Sequence, residues 1–229
     1  RYIGSADKIA IIGSKSLSDR LYLDHAATTP VLPAVRKAVT DAMAKWANPS
    51  SPHADGRVAR AQLEEARERI KAALNWPHEL IFTSGATESL AIALTRTHRD
   101  AVIVSATEHD AVHRVLPESF FLPVTPDGRV ARDALYGRLA ALGASAPLVV
   151  IQQANNETGV IQPLDDLSGV VREKGGLLLA DCAQSAVKMP LPDADLIALS
   201  AHKLGGPPGI GALLVRDLGL LEPSGGQEK

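Results

Sequence analysis

Five short polar clusters stand out because each one directly follows a run of apolar residues. They occupy residues 83–88, 107–109, 155–157, 181–184 and 200–203, and they carry hydroxyl, carboxylate, imidazole, amide and amine groups. Short apolar runs that alternate with helical patterns indicate the strands of a mainly parallel sheet. Because the carboxyl ends of parallel strands meet at one edge of a sheet, we expect the five clusters to converge on one ligand-binding crevice.

The first cluster joins a predicted strand to a predicted helix. Residues 83–87 read Thr-Ser-Gly-Ala-Thr. Free backbone N–H groups at a helix N-terminus, together with nearby hydroxyl groups, can hold a phosphate without any basic residue. The same residues also suit an ordinary helix cap, so this segment alone leaves both interpretations open.

Two charged residues are predicted where burial would be unfavourable. Asp181 follows a fully apolar strand, where a carboxylate needs a cationic partner such as a protonated heterocycle nitrogen. A helix N-cap or a buried salt bridge would also explain it. Lys203 lies before the glycine-rich residues 205–209, a setting that could desolvate its amine, lower its pKa and allow a Schiff base. An exposed surface charge is the alternative for Lys203.

A histidine completes this set of groups. His109 follows a predicted strand, and its flat ring can stack on a planar cofactor or transfer a proton, although a lone histidine is usually only hydrogen-bonded. A phosphate cradle, a carboxylate for a ring nitrogen, a stacking histidine and a Schiff-base lysine are together what pyridoxal 5′-phosphate requires. His113 stands four residues from His109, but no third ligand follows at a convincing spacing, so we expect no metal site.

Hydrophobic periodicity predicts the elements that position these residues. The predicted helices cover residues 35–46, 56–74, 88–96, 110–115, 131–142 and 164–174, and the predicted strands cover 80–82, 101–105, 120–124, 148–152, 177–180, 196–200 and 212–215. Apolar strands that alternate with helices indicate an α/β fold with a mainly parallel sheet and helices on both faces. We expect an N-terminal arm over residues 1–20 and one cofactor-binding domain over residues 21–229.

The composition excludes several classes of function. The chain has 229 residues, of which 45% are hydrophobic and 22% charged, as is typical of a globular protein with a substantial core. Its formal charge of −2 provides no positive field for nucleic acid or an anionic membrane, so neither partner is expected. One cysteine cannot form an internal disulfide, and no apolar run could span a bilayer, so we expect a cytoplasmic protein.

From about residue 21 to residue 229 the chain resembles the cysteine desulfurases, which are fold-type I pyridoxal-phosphate enzymes. The motifs that carry the resemblance are residues 23–30, 48–51, 83–89, 107–109, 155–160, 181–184 and 200–203. Their order and number make coincidence very improbable. The resemblance implies a cofactor-binding large domain of the fold-type I transferases.

The resemblance also implies a role for each matching residue. Lys203 would hold the cofactor covalently, Asp181 would pair with its pyridine nitrogen, and His109 would stack on the ring and serve as an acid or base. The remaining residues implied to contact the cofactor or substrate are Ala86, Thr87, Ser200 and His202 at the phosphate, and Gln184 and Asn156 near the phenolic oxygen.

The implied reaction removes sulfur from L-cysteine, giving L-alanine and an enzyme persulfide that supplies iron–sulfur cluster or thio-RNA assembly. The implied partners are a second copy of the chain and a sulfur acceptor or iron–sulfur scaffold protein. Family members carry the nucleophilic cysteine and the arginine for the substrate carboxylate in a C-terminal segment beyond this chain. We therefore expect the C-terminal small domain to be absent and the chain as given to be inactive. Cys182 is expected to be a buried structural residue.

Two alternatives remain beside this hypothesis. In the first alternative, the chain is part of a selenocysteine lyase or of another class-V aminotransferase-like enzyme, and the cofactor site is the same. In a different class of function, a truncated chain would keep only the fold and act as a non-catalytic interaction module. Such a module would bind no cofactor at Lys203, whereas either enzyme would.

Overall fold

The computed structural model of the protein describes residues 21–116, 120–143 and 146–223, and the predicted arm over residues 1–20 lies outside them. Helices and strands alternate along most of this chain. The elements are α1 (Pro33–Met43), α2 (Ala54–Ala73), β1 (Glu79–Thr83), α3 (Ala86–Arg96), β2 (Ala101–Ser105), α4 (Asp110–Val115), β3 (Phe120–Leu122), α5 (Arg132–Ala141), β4 (Pro147–Gln152), α6 (Leu164–Glu173), β5 (Leu177–Asp181), β6 (Leu196–Ser200) and β7 (Gly211–Val215). A short 3₁₀ helix, Ala201–Lys203, follows β6 directly.

The seven strands form one mixed, mostly parallel sheet in the order β1-β7-β6-β5-β4-β2-β3. The pairs β2–β3, β2–β4, β4–β5 and β5–β6 are parallel. Strand β7 runs antiparallel to both of its neighbours, β1 and β6. The predicted fold class, a mainly parallel sheet with helices, is therefore confirmed.

Alternate side chains of the strands point into two separate cores, as a fully covered sheet requires. Within β4, Val149 and Ile151 belong to one buried cluster and Leu148 and Val150 to the other. The first cluster is completed by apolar residues of α2, α5 and α6, and the second by residues of α3 and α4. The sheet is thus covered on both faces and presents its strand ends as the accessible edge.

The predicted elements recur with small shifts at their ends. Strand β3 ends at Leu122 instead of residue 124, because Pro123 has no N–H to continue the ladder. Helix α1 ends at Met43, so Trp46 lies beyond it and is 88% exposed. No residue of α1 is buried, so its apolar spacing predicts the helix correctly but does not indicate packing against the sheet.

One glycine permits a close backbone contact beside the strand ends. Gly211 begins β7 and pairs with Thr83 on one side and Ser200 on the other. A Cβ atom at this position would lie 2.5 Å from the Cα of Gly85 and 2.6 Å from the carbonyl oxygen of Leu199. The loop before α3 can therefore lie directly against the sheet only because residue 211 has no side chain.

We expect Gly211→Ala to lower the free energy of unfolding by about 1–3 kcal/mol, because backbone atoms would have to move away from the new methyl group. Gly137→Ala is the matched control, since Gly137 lies in α5 and its added Cβ would contact nothing within 4 Å. That change should raise stability by about 0.4–1 kcal/mol. Urea denaturation of the two variants measures both effects, and equal effects would contradict the close contact at Gly211.

Candidate active site

A cavity of about 530 Å³ opens at the carboxyl ends of the parallel strands. Gln152, Asp181 and Ser200, the last residues of β4, β5 and β6, contribute to its wall. All of the predicted site residues line this one cavity, namely Ala86, Thr87, His109, Asn156, Asp181, Gln184, Ser200, His202 and Lys203. The geometry brings them together, while the roles assigned to them stay predictions.

Asp181 ends the fully buried strand β5 and is itself 7% exposed. Its Oδ1 atom accepts a hydrogen bond of 2.9 Å from the backbone N–H of Ala183. Burial raises the pKa of this carboxyl, and the hydrogen bond from Ala183 and the charge of Lys203 offset that effect only in part. A cation placed against Asp181 in the cavity would therefore gain a strong partner.

Lys203 lies at the end of the 3₁₀ helix that follows β6, and its side chain is partly buried. Desolvation lowers the pKa of its amine, the nearby Asp181 carboxyl opposes this shift, and the charge of Lys188 adds to it. The direction agrees with the sequence prediction. A lowered pKa increases the share of neutral amine, which is the nucleophilic form that a carbonyl group requires.

His109 is the N-cap residue of the short helix α4, and its Nδ1 atom accepts a hydrogen bond of 3.1 Å from the N–H of Ala111. An accepting Nδ1 has no proton, so a neutral ring carries its proton on Nε2. Both the ring's orientation and its tautomer are thereby fixed by the backbone. The remaining nitrogen, Nε2, is the one available for a ligand in the cavity.

Residues 83–87, which connect β1 to α3, have two different roles. Ser84, Gly85, Ala86 and Thr87 line the cavity at the N-terminus of α3, and no side chain caps the helix at Gly85. The hydroxyl of Thr83, in contrast, is held by Ser89 at 2.8 Å and is buried. The predicted phosphate cradle therefore keeps its backbone groups, while Thr83 serves the packing of β1 against α3.

The amide side chains near the cavity also differ in their tasks. Asn155 accepts bonds from the N–H groups of Glu157 and Thr158 and so shapes its own loop, whereas Asn156 lines the cavity. Gln184 donates from Nε2 to the carbonyl oxygen of Ala26 at 2.8 Å. That bond uses one of the two amide hydrogens of Gln184 and leaves the other available.

Two features of the site were not assigned a role from the sequence. The first is the segment of residues 24–32, which contributes Ala26 and Ala27 to the cavity wall. Thr29 in this segment donates from its N–H to the carbonyl oxygen of His202 at 2.7 Å. The matching motif at residues 23–30 was the available signal, but spacing alone does not show that this segment returns to Lys203.

The second feature is the buried carboxyl of Glu108, which is 6% exposed. Its Oε1 atom accepts a bond of 2.9 Å from the N–H of Gln152, whereas its buried Oε2 atom has no partner among the described residues. Burial raises the pKa of Glu108 well above its usual value, and the nearby Asp181 charge raises it further. An acidic residue between Thr107 and His109 gives no sequence signal of such burial.

Cys182 lies fully buried behind Asp181, as the sequence analysis expects. Its Sγ atom contacts Oε1 of Gln153 at 3.5 Å. Burial raises the pKa of the thiol strongly, with the Asp181 charge as a further cause. Cys182 is therefore a protonated packing residue and has no path to a ligand in the cavity.

Within residues 21–116, 120–143 and 146–223, no group of three or more His, Cys, Asp and Glu side chains could hold a metal ion. In the same ranges, no helix is both long enough and apolar enough to cross a membrane.

Comparisons with known proteins place this fold in a class. A NifS-like protein from Rickettsia africae superposes with a TM-score of 0.83 at 30% identity, covering 90% of this chain and 62% of that one. A structure of SspA in complex with cysteine superposes with a TM-score of 0.78 at 32% identity, covering 90% of this chain and 66% of that one. The fold is that of the fold-type I pyridoxal-phosphate enzymes.

Residues 21–227 match the class-V aminotransferase family, and the chain belongs to that family. The IscS-like cysteine desulfurase of Mycobacterium tuberculosis is 37% identical over 233 residues, which cover 91% of this chain and 59% of the relative. The cysteine desulfurase IscS of Dictyoglomus turgidum is 39% identical over 220 residues, which cover 86% of this chain and 54% of the relative. The chain thus spans somewhat more than half the length of these relatives.

The cavity fits the cofactor of this family on three observations. An uncapped helix N-terminus at Gly85 offers backbone N–H groups to a phosphate. A partly desolvated amine at Lys203 and a buried carboxyl at Asp181 face the same cavity. These three groups match the phosphate, the aldehyde and the ring nitrogen of pyridoxal 5′-phosphate.

The raised pKa of Glu108 leads to a stability prediction for Glu108→Gln, which keeps the acceptor for Gln152. A carboxyl that binds its proton more tightly when folded loses stabilising free energy as pH rises through its folded-state pKa. The variant should therefore gain stability over the wild type by up to about 1.4 kcal/mol for each pH unit between the unfolded-state and the folded-state pKa of Glu108, and no further above the folded-state pKa. Urea denaturation between pH 5 and 8 measures the difference.

The matched control is Glu65→Gln, on the exposed face of α2. Its stability difference from the wild type should not follow the same slope. A Glu108→Gln difference that stays constant over this pH range would show that the Glu108 carboxyl is charged when folded and would contradict the prediction.

Proposed function

We propose that this chain is the cofactor-binding domain of a cysteine desulfurase, which takes sulfur from L-cysteine and releases L-alanine. The observation that carries the proposal is the shared cavity of Lys203, Asp181 and His109 at the strand ends. The names of the relatives at 37% and 39% identity support the choice of cysteine desulfurase over other class-V enzymes.

Bound pyridoxal 5′-phosphate would supply an electron sink for the bonds of the substrate's α-carbon. Lys203 would hold it through the neutral amine that its lowered pKa favours. Asp181 would keep the proton on the ring nitrogen, since a buried carboxylate stabilises a cation against it. While Nδ1 accepts from Ala111, His109 would present its Nε2–H above the ring; to receive a proton at Nε2 the ring would first have to leave that bond and carry its proton on Nδ1.

The remaining residues would hold the two ends of the cofactor. Backbone groups of Ala86 and Thr87, with the side chains of Ser200 and His202, would bind the phosphate. Asn156 and the free amide hydrogen of Gln184 would lie near the phenolic oxygen or the substrate. All of these residues line the cavity, which supports the assignment.

The sulfur transfer needs a thiolate in addition to these residues. The carbon–sulfur bond of the substrate breaks, a sulfur–sulfur bond forms with the thiolate, and the carbon that loses sulfur gains a proton. Cys182 is buried with a raised pKa, so the nucleophile would come from outside these 229 residues. A sulfur acceptor for iron–sulfur cluster or thio-RNA assembly would then receive the persulfide sulfur.

The proposal includes a homodimer and a cytoplasmic location. Several large apolar side chains near the start of the described chain face solvent, and the most exposed are Leu21, Leu23, Met43 and Trp46, at 86%, 76%, 75% and 88%. Large apolar side chains that are exposed to this degree are typical of surfaces that another polypeptide covers. This exposure supports an interface with a second copy or with further chain.

The assignment of Lys203 and Asp181 predicts two different losses. Lys203→Ala should abolish the covalent bond to the cofactor, and Lys188→Ala should preserve it, because Lys188 does not line the cavity. Asp181→Ala should weaken cofactor affinity about 10- to 150-fold by removing a charged hydrogen bond. Absorbance titration with pyridoxal 5′-phosphate, then borohydride reduction and peptide mapping, measures both effects. Unchanged spectra in both variants would refute the assignment and would favour the non-catalytic module.

The substrate assignment predicts equal amounts of alanine and sulfide from L-cysteine. The test uses a protein that contains this chain together with the thiol-bearing segment of its family, in the presence of a reductant. L-selenocysteine is the comparison substrate, since a selenocysteine lyase would act on it and leave cysteine intact. Absence of alanine from L-cysteine would exclude the proposed reaction.

A further inference from the structure

The hydroxyl group of Thr28 contacts two atoms of one residue, His202. Its Oγ1 atom lies 3.2 Å from the carbonyl oxygen of His202 and 3.1 Å from Nδ1 of the same residue's ring. Thr28 belongs to the segment of residues 24–32, which is distant in sequence from β6 and reaches His202 only through the fold. None of the roles described above uses this hydroxyl.

Proton counting selects one arrangement of these contacts. A threonine hydroxyl has one hydrogen to donate and two lone pairs to accept with. If that hydrogen is donated to the carbonyl oxygen of His202, the contact with Nδ1 is a hydrogen bond only when the ring nitrogen donates. Both contacts are therefore satisfied when Nδ1 of His202 carries a proton and Oγ1 of Thr28 accepts it.

The backbone holds Thr28 in place for this contact. The hydroxyl of Tyr22 lies within hydrogen-bond distance of two carbonyl oxygens, that of Asp24 at 2.9 Å and that of Thr28 at 3.0 Å. The next residue after Thr28, Thr29, donates from its N–H to the carbonyl oxygen of His202 at 2.7 Å. Further along, Leu32 donates from its N–H to the carbonyl oxygen of Gly205 at 2.9 Å. The 24–32 segment is thus tied to the loop of His202 by two backbone bonds that follow Thr28 in sequence, at Thr29 and at Leu32.

We propose that Thr28 is a positioning residue that accepts the Nδ1 proton of His202 and so directs Nε2 of that ring to a phosphate group in the cavity. The inference rests on the proposed cofactor site. An acceptor at Nδ1 lets the ring hold a proton on both nitrogens, and the charged Nε2–H then makes a charge-assisted hydrogen bond to the phosphate. Without the acceptor, a charged ring would keep an unsatisfied Nδ1–H in a partly buried position.

The test compares pyridoxal 5′-phosphate with pyridoxal, which has no phosphate. In Thr28→Val, affinity for pyridoxal 5′-phosphate should fall about three- to tenfold, as expected for the loss of one hydrogen bond. Affinity for pyridoxal should not change. Thr28→Ser, which restores the hydroxyl, should recover the affinity for pyridoxal 5′-phosphate. Absorbance titration of the full chain measures all three.

Thr29→Val is the matched control. Thr29 donates from its hydroxyl to the carbonyl oxygen of Lys203 at 3.2 Å and contacts no ring. Loss of the Thr29 hydroxyl should alter the affinities for pyridoxal 5′-phosphate and for pyridoxal by the same factor, because it changes only the attachment of the 24–32 segment. A Thr29→Val variant with the same selective loss as Thr28→Val would overturn the proposal.

A spectroscopic measurement examines the ring itself. In the wild type without ligand at pH 8, the lowered pKa of His202 leaves the ring neutral, so ¹⁵N-histidine NMR should find its single proton on Nδ1. With pyridoxal 5′-phosphate bound, both ring nitrogens should carry a proton. In ligand-free Thr28→Val the single proton should move to Nε2, which a neutral imidazole without a partner favours. A ligand-free wild-type ring with its single proton on Nε2 would overturn the proposal.

The outcomes separate this inference from the proposed function. If the wild-type chain does not bind pyridoxal 5′-phosphate, both are wrong. If it binds and Thr28→Val binds equally well, only the role of Thr28 is wrong.

Discussion

Burial of the Asp181 carboxyl at the end of β5 sets the condition that the rest of the site has to meet. A buried carboxyl without enough positive charge around it has a raised pKa, and the nearby Lys203 compensates for burial only in part. The cavity is placed so that a cationic ring nitrogen could complete the pair. The other cavity residues are placed by the ends of neighbouring elements: Ser200 ends β6, Lys203 ends the 3₁₀ helix that follows it, and Ala86 begins α3.

Glu108 adds a second buried acid to the same edge of the sheet. Its pKa is raised first by desolvation and further by the Asp181 charge, so a charged Asp181 disfavours the ionisation of Glu108. A site of this kind is less stable when empty than when a cation is bound. Stability and ligand binding are therefore coupled, because a ligand that binds only the folded chain shifts the folding equilibrium towards it.

Much of the fold was predictable from local patterns, because fully apolar strands and amphipathic helices leave a clear period in the sequence. The convergence of Asp181, Lys203 and His109 followed from the parallel sheet alone. The contacts of Thr28 did not follow, since they join residues far apart in sequence through one hydroxyl. The burial of Glu108 was also unpredictable, because a charged residue beside His109 is equally consistent with an exposed loop. The apolar residues of α1 recur at the spacing of a packed helix, yet none of them is buried. The spacing therefore predicts a helix but does not indicate what the apolar face packs against.

The antiparallel placement of β7 affects how Lys203 is held. Strands β6 and β7 are neighbours in sequence and pair with each other from Ser200–Gly211 to Leu196–Val215. Lys203 therefore stands in the connection of a local hairpin, whereas Asp181 reaches it across a parallel pairing with β6. Contacts between residues close in sequence form with a small loss of chain entropy. Lys203 is thus positioned by the short β6–β7 hairpin, which is contiguous in sequence. Asp181 reaches it only when β5 pairs with β6, a slower step because parallel strands are farther apart along the chain.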